Sequence, residues 1–369
     1  MITSKSAYER SGVSYRALDP VKIAAQRAAK ATARQLLNNG GKELSQTRGE
    51  SAYVWRQGSM LMASVIEGLG TKNLVADAMR RHTKKTYYDV VAHDTVATII
   101  NDLVTVGARP LVLHAYWAAG NSSWFADKKQ VSDLILGWRQ ACVLAGVTWG
   151  GGETPVYAGI IDPSTIDLAG SAIGIVPSKK HLITQDHITS GDHIIFVRSN
   201  GINANGLTLA RKTANESPNG YLQKLPSGKR YGDALLAKSN IYARLISALQ
   251  DAQVDIHYIV HITGHGLRKL MRPKKSFTFC INAVFEPQEE FHYIQKAAGL
   301  SMREMYETFN MGQDYALYVP PRSVKKIIAT AAAHGFECID AGVILKGKKQ
   351  VLVKQHGITF HESSLRIRP

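Results

Sequence analysis

The sequence predicts a mixed α/β protein, with α/β or α+β layers, that folds as two domains. Its 369 residues, 45% of them hydrophobic and 20% charged, suffice for two sizeable cores. Short apolar runs that end in glycine turns indicate buried strands, and they mix with helix patterns without a strict βαβ repeat. A new series of such units begins near Ser178. We therefore expect one domain over residues 1–177 and a second over residues 178–369.

The first half begins with a helix pattern and continues with strands and helices. Asp19-Pro20 supplies a predicted N-cap and first-turn proline, and Asn38–Gly41 ends the helix. The apolar run MLMASVIEG then predicts a buried strand that ends at Glu67. The later elements are read as helix, strand, helix, strand and strand, in the segments AHDTVATIINDLVTVGARP, LVLHAYWA, VSDLILGWRQACVLAG, VTWGGGE and IDLAGSAIGIVP.

The second half repeats a strand followed by a glycine-rich loop. HIIFVRSNGINANGLTLARKTA reads as a strand, a Gly/Asn loop and a helix, and IHYIVHITGHGLRKLM follows the same plan. Two further strand regions are SFTFCINAVF and the closing VLVKQHGITFHE. This half is therefore expected to form an α/β domain of its own.

The composition restricts the function classes. The net charge is +16, with basic runs at Arg80–Lys85, Arg268–Lys275 and Lys346–Lys349. No zinc-finger spacing or RNA-recognition signature accompanies this charge, so a solvated basic surface is favoured over a nucleic-acid interface. The three cysteines are scattered and show no CxxC spacing, which indicates reduced thiols. Neither a signal-peptide core nor a membrane-length apolar run is present, so we expect a cytoplasmic protein without a membrane partner.

Four glycine-marked turns follow predicted strands. Glycine allows close backbone approach and positive φ, so consecutive amides can surround an oxyanion. In the first turn Gly68 and Gly70 precede Thr71 and Lys72, which reverses the lysine-before-hydroxyl order of a P-loop. Each turn alone could be an ordinary turn, but four that carry polar residues favour a shared ligand site. They are EGLGTK (Glu67–Lys72), GGGET (Gly150–Thr154), SNGINANG (Ser199–Gly206) and HITGHG (His261–Gly266).

Several polar residues are candidates for metal or acid–base chemistry. If a helix starts at Asp94, Asn101 lies about 10 Å further along nearly the same face. That spacing suits a magnesium-bearing polyphosphate laid along the helix, although Asp94 could equally be an N-cap. Glu153 is a candidate metal or general-base carboxylate or a helix-start charge, and His261 is a candidate site residue or a core histidine. Asn310, at the end of MREMYETFNMG, could approach a ligand.

Taken together, these motifs resemble the aminoimidazole ribonucleotide synthetase family, also called phosphoribosylformylglycinamidine cyclo-ligase. The resemblance runs from about residue 8 to the final strand, in the family's order. The family's patterns are YxxxGV, DGVGTK, DxVAxxxNDL, GGET, DxAG, SNG, H[IL]TG and EMxxTFNxG. They are matched in turn by Tyr8–Val13, Glu67–Lys72, Asp94–Leu103, Gly151–Thr154, Asp167–Gly170, Asn205-Gly206, His261–Gly264 and Glu304–Gly312.

The resemblance implies a two-domain synthetase with an N-terminal domain that contributes to an intersubunit β-barrel and a C-terminal α/β domain. It implies a homodimer that uses ATP and Mg²⁺ to cyclise a ribonucleotide substrate, formylglycinamidine ribonucleotide, through a phosphorylated imidate. The expected catalytic residues are Lys72, Glu153 and His261, and the expected metal ligands are Asp94, Glu67 and Asn101. Nucleotide contacts are expected from Gly68, Gly70, Thr71, Lys72, Asn101, Asn205, Gly206, Thr263, Gly264 and Asn310.

The chain departs from the family pattern at several positions. Glu67 replaces an aspartate, Val156 replaces a glutamate, Asn203 replaces a histidine, and His265 replaces the middle glycine of HITGGG. The family's glycine-rich loop is replaced by QTRGESAYVWRQGS. Two alternatives to the cyclo-ligase therefore stay open: a related ATP-dependent enzyme with another acceptor, and a non-catalytic protein that binds nucleic acid.

Overall fold

The computed structural model describes Glu9, residues 11–365 and Ile367. Tyr8, the first residue of the Tyr8–Val13 motif, lies outside the described residues. Within the described part of the chain, no helix is both long enough and apolar enough to cross a bilayer.

The N-terminal half is built on a six-stranded sheet with the strand order β1-β2-β3-β6-β4-β5. Neighbouring strands are antiparallel, except that β4 and β5 are parallel. The strands are β1 (Gly41–Glu43), β2 (Tyr53–Gln57), β3 (Met60–Gly68), β4 (Arg109–Ala119), β5 (Thr148–Glu153) and β6 (Ile166–Val176). The helices are α1 (Tyr15–Ala31), α2 (Ala33–Asn38), α3 (Lys72–Thr83), α4 (Tyr88–Val104) and α5 (Lys128–Ala145).

The C-terminal half is built on a seven-stranded sheet with the strand order β13-β12-β9-β11-β7-β10-β8. Its strands are β7 (His193–Arg198), β8 (Tyr258–His261), β9 (Phe277–Ile281), β10 (Gln313–Val319), β11 (Cys338–Lys346), β12 (Gln350–Val353) and β13 (Ile358–His361). Its helices are α6 (Leu207–Glu216), α7 (Tyr231–Leu235), α8 (Ala243–Asp251), α9 (Glu289–Ala297), α10 (Met302–Thr308) and α11 (Val324–Ala333). Two mixed sheets with helices confirm the predicted α/β class.

Two predicted helix starts are wrong. α1 begins at Tyr15, so Asp19 is not its N-cap and Pro20 lies inside the helix. The additional turn is supported by tertiary contact, because the Tyr15 ring stacks on His265 of the C-terminal half. α4 begins at Tyr88, which places Asp94 in the middle of the helix and rules out the N-cap interpretation.

Helix α4 is the central element between the two halves. Fourteen of its 17 residues are buried, which is typical of a helix enclosed on all sides. It packs against β3 and β6 of the first sheet and against α5. Its polar residues Asp94, Asn101 and Asp102 are hydrogen-bonded to the C-terminal half. This helix therefore determines how residues of the two halves meet.

Candidate active site between the two halves

Lys72 and Asp94 form a buried ion pair at the junction. Both side chains have no exposed surface, and the Lys72 ammonium bonds to Asp94 Oδ2. Lys72 Nζ also donates to the carbonyl oxygens of Ala237 at 2.7 Å and Asn203 at 3.2 Å. An ammonium has three N–H donors, and all three have partners within the protein. In this arrangement Lys72 has no donor left for a phosphate.

Asp94 and Asn101 also use their polar atoms within the protein. Asp94 Oδ1 accepts a hydrogen bond of 2.8 Å from the backbone N–H of Ser239. Asn101 Oδ1 accepts from the N–H of Tyr242 at 2.9 Å, and its Nδ2 donates to the Asn240 carbonyl at 2.8 Å. Both residues therefore fasten α4 to the segment 237–242 of the C-terminal half.

The three predicted metal ligands do not converge. Asp94 and Asn101 are held by the segment 237–242, whereas Glu67 lines a cavity together with Asp102. Across the described residues, no three or more His, Cys, Asp or Glu side chains are arranged to hold a metal ion. The set Asp94, Glu67 and Asn101 consequently does not fit a joint magnesium site, and the role of each residue stays a prediction.

The cavity that contains Glu67 has a volume of about 310 Å³ and lies between the two halves. The end of β3, the HITGHG turn and helix α1 all contribute to its wall. The structure brings five of the predicted site residues together here: Glu67, Gly68, Asn205, Thr263 and Gly264. The backbone at Gly264 lies close to the Tyr15 side chain, since a Cβ at this position would lie 2.3 Å from the hydroxyl oxygen of Tyr15.

Other predicted residues lie outside the lining of this cavity. Glu153 is exposed on β5, an edge strand of the first sheet. Gly206 begins α6 with a φ of +76°, and a Cβ there would lie 2.3 Å from the Phe309 ring. Asn310 is buried and donates to the Gly201 carbonyl at 2.9 Å. Gly70 and Thr71 connect β3 to α3 and therefore orient Lys72.

His261 lies behind the cavity in a buried polar chain. Its Nδ1 is 2.6 Å from Asp102 Oδ1, and its Nε2 is 3.6 Å from Asp314 Oδ1. Burial alone would raise the pKa of Asp102, but the hydrogen bond and charge of His261 outweigh it and lower that pKa. Burial and the adjacent Asp102 charge instead raise the pKa of Glu67. The two carboxyl groups are therefore suited to share one proton, which Glu67 holds.

Three cationic side chains in the cavity were not among the predicted site residues. Lys22 comes from α1, and Lys269 and Arg272 follow the HITGHG turn. Lys269 Nζ donates to Thr263 Oγ1 and, at 3.3 Å, to the His261 carbonyl. Burial and the charge of Arg272 lower the pKa of Lys269, while Asp102 and Glu67 oppose that shift. Lys269 and Arg272 belong to the basic run Arg268–Lys275, which the sequence alone presents as surface charge.

A larger cavity of about 740 Å³ adjoins the first one. It lies between α1 and the C-terminal half, and its lining includes Asp19, Leu209 and Arg268. Tyr15 and His265 line both cavities, so their stacked rings, with centroids 3.6 Å apart, form a shared wall.

The buried ion pair generates a stability prediction. Asp94→Asn leaves the Lys72 ammonium buried without a counter-charge, so we expect a loss of about 3–5 kcal/mol in the free energy of unfolding. Urea unfolding of the wild type and the variant measures this loss of unfolding free energy. Asp89→Asn is the matched control, because Asp89 lies on the same helix and its ion pair with Lys238 is 40% exposed on both sides and contributes at most about 1 kcal/mol.

In a double-mutant cycle of Asp94→Asn with Lys72→Met, the changes in unfolding free energy should be strongly non-additive, since the two side chains are in direct contact. Unchanged stability in Asp94→Asn combined with lost nucleotide affinity would contradict this assignment. That result would indicate that Asp94 contacts the nucleotide or its metal ion.

Comparison with known proteins gives a consistent family assignment. Residues 49–176 match the model of "AIR synthase related protein, N-terminal domain", and residues 189–355 match the corresponding C-terminal domain. The chain is 34% identical over 301 residues to a phosphoribosylformylglycinamidine cyclo-ligase of Carboxydothermus hydrogenoformans, covering 80% of this chain and 84% of the relative. It is 35% identical over 283 residues to the protein of that name from Methanothermobacter thermautotrophicus, covering 76% and 80% respectively.

Solved structures share the fold at lower sequence identity. HypE, in a crystal structure of the HypE-HypF complex, aligns with a TM-score of 0.59 at 15% identity, over 85% of this chain and 92% of that chain. The two family models together span most of the sequence, and both of the relatives above exceed 30% identity over more than two thirds of it. The chain belongs to the AIR synthase related protein family.

Proposed function

We propose that this chain is an ATP-dependent cyclo-ligase that converts formylglycinamidine ribonucleotide to aminoimidazole ribonucleotide in purine biosynthesis. Relatives named phosphoribosylformylglycinamidine cyclo-ligase align over about four fifths of the chain. The structural observation that carries the proposal is the smaller cavity. There Gly68 from the first half and Gly264 from the second meet three cationic side chains, which is the chemistry that phosphate groups require.

The proposed reaction has two steps whose atoms balance. The formyl oxygen attacks the γ-phosphorus of ATP, the bond from that phosphorus to the β,γ-bridging oxygen breaks, and ADP leaves, while the formamide nitrogen gives up its proton so that the imidate C=N bond forms. A nitrogen of the substrate then attacks the activated formyl carbon, and the C–O bond breaks to release inorganic phosphate. The nitrogen loses a proton as the imidazole ring closes. Phosphoryl transfer of this kind depends mainly on positioning and charge neutralisation.

The cationic side chains supply the charge neutralisation in this proposal. Lys22, Lys269 and Arg272 approach the cavity from two different segments, so they can surround a phosphate from more than one side. Lys269 is positioned by its bonds to Thr263 and to the His261 carbonyl. Lys72 is a positioning residue, because its ammonium holds the loop carbonyls of Asn203 and Ala237 in place.

The proton released on ring closure needs an acceptor. Asp102 carries the negative charge of the carboxyl pair and bonds to His261, while Glu67 holds the shared proton. We assign acceptance of this proton to the Asp102 carboxylate, which lines the cavity, with His261 holding that carboxylate in position and Glu67 adjusting the charge of the pair. Magnesium binding by Glu67, a catalytic role of Glu153 and a cytoplasmic location stay predictions.

Lys269→Met tests the site directly. We expect kcat/KM for ATP to fall by about 10- to 100-fold, because a charge-assisted hydrogen bond to phosphate is lost. Release of ADP and of aminoimidazole product is measured with and without formylglycinamidine ribonucleotide. Lys348→Met is the control, since Lys348 is exposed and does not line the cavity.

Two results would contradict the proposal. ATP turnover by the wild type that ignores formylglycinamidine ribonucleotide would indicate a related enzyme with another acceptor. Equal kcat/KM values for Lys269→Met and Lys348→Met would show that Lys269 does not contact the nucleotide.

We also propose that the chain forms a homodimer through the uncovered face of the first sheet. Helix α4 packs against β3 and β6 on one face, whereas alternate residues of β3 point to the other. Ile66 is 76% exposed there. Neighbouring apolar side chains on the first sheet are also exposed, namely Met60, Leu111 and Ile173. An apolar sheet face of this kind favours burial against a second copy, as in the intersubunit barrel of similar enzymes.

Ile66→Glu tests the dimer, because a charge on the paired sheet face opposes burial. Light scattering after gel filtration should give twice the 40.4 kDa chain mass for the wild type and a shift toward one chain for the variant. Val21→Glu, at a position 67% exposed on α1, should leave the mass unchanged. A wild-type mass of one chain would refute the dimer.

A further inference from the structure

The larger cavity contains two buried polar groups without hydrogen-bond partners among the described residues. His265 is 4% exposed, and neither of its ring nitrogens has a partner in the part of the chain that the structure describes. Asp19 is 7% exposed, and its Oδ1 likewise has no partner among those residues. These two side chains belong to different parts of the cavity wall, since Asp19 lies on α1 and His265 lies in the HITGHG turn. Buried polar groups in folded proteins normally form hydrogen bonds, so we expect a bound molecule to supply the partners of Asp19 and His265.

Asp19 and His265 do not form a hydrogen bond with each other. His265 Nε2 lies 3.6 Å from Asp19 Oδ1, which exceeds the length of a hydrogen bond. Burial is the main influence on both groups: it lowers the pKa of His265 to about 2 and raises that of Asp19. The imidazole is therefore neutral, with one donor and one acceptor nitrogen.

The backbone at His265 supports a role for its side chain. Its φ of +71° lies in the left-handed region, which is costly for a residue with a Cβ and which glycine adopts freely. The conformation is held by the Tyr15 hydroxyl, which accepts the His265 N–H at 3.2 Å, and by the stacked rings. Strained residues of this kind cluster at ligand sites, where the surrounding structure maintains them.

The shape of the cavity identifies the class of ligand. Its volume of about 740 Å³ lies in the range of small-molecule sites. Apolar side chains, including Ile23, Leu209 and Leu300, line it beside the polar pair. A planar group that carries N–H donors would pack on the apolar wall and donate to Asp19 and His265. The adjoining smaller cavity, with its cationic side chains, would receive phosphates of the same or a neighbouring ligand.

We propose that Asp19 and His265 are the hydrogen-bonding pair of a ligand subsite that takes the N–H-bearing end of a nucleotide. This inference rests on the proposed function, which supplies two sources of that chemistry. One is the adenine of ATP, and the other is the amidine and formamide end of the ribonucleotide substrate. The phosphate group of the bound molecule points toward Lys22, Lys269 and Arg272.

Calorimetric titration of full-length variants tests the subsite. The probes are a non-hydrolysable ATP analogue and, separately, formylglycinamidine ribonucleotide. Asp19→Asn and His265→Gly should each weaken binding of one probe by about tenfold or more, and the affected probe identifies the occupant. His265→Asn, which tolerates positive φ, serves if the glycine variant does not fold.

The matched control is Gln253→Gly. Gln253 also has a positive φ, of 52°, but it is exposed and does not line either cavity. Both glycine variants relieve backbone strain, but His265→Gly also removes the ring that stacks on Tyr15, so ligand affinity is the deciding measurement: only His265→Gly should lose it. A purely structural role of His265 predicts a lower melting temperature with unchanged affinity.

The outcomes separate the subsite from the proposed function. If the wild type cyclises the substrate and both variants bind both probes with wild-type affinity, the subsite proposal is wrong and the proposed function stands. The larger cavity would then hold water alone. Absence of cyclisation together with probe binding that is weakened in Asp19→Asn overturns the function and retains the subsite. A wild type that binds neither probe overturns both.

Discussion

The buried contact between Lys72 and Asp94 is the interaction on which the geometry of the site depends. It joins the first residue of α3 to the middle of α4, and the same two side chains bind the backbone at Asn203, Ala237 and Ser239. A lone charge in this environment is costly, so each member requires the other. The pair therefore fastens two loops of the C-terminal half to the helix that also carries Asp102.

Among the described residues, the side chains of Lys, Arg, Asp and Glu that line the smaller cavity are cations and carboxylates in equal number. Its charged lining consists of Lys22, Lys269, Arg272, Glu50, Glu67 and Asp102. A cluster of cations alone would repel itself in a buried site, whereas carboxylates hold the cations in position before an anion arrives. Arg272, for example, lies 3.8 Å from Glu50. The raised pKa of Glu67 lets the carboxyl pair keep a proton, which reduces its repulsion of a phosphate.

The sequence predicted the fold class and the family because both depend on patterns that are local or that recur in order. Of the four glycine-marked turns that were predicted to share a site, three contribute to one cavity through Gly68, Asn205 and Gly264, whereas the GGGET turn does not line it. The sequence could not show which groups the polar side chains contact. Asp94 and Asn101 are residue types that often bind metal ions, yet here they form hydrogen bonds with the protein's own backbone. Lys269 was not predicted as a site residue because it belongs to a basic run. Charge counts do not distinguish a lysine that faces a cavity from one that faces solvent.

The proposed function requires that ATP activate the formyl oxygen of the substrate for ring closure. An isotope label follows that oxygen atom. With formylglycinamidine ribonucleotide labelled with ¹⁸O at the formyl group, each inorganic phosphate released should contain one ¹⁸O atom, as detected by mass spectrometry. Release of unlabelled phosphate during product formation would contradict the phosphorylated intermediate and the function assigned to the cavity.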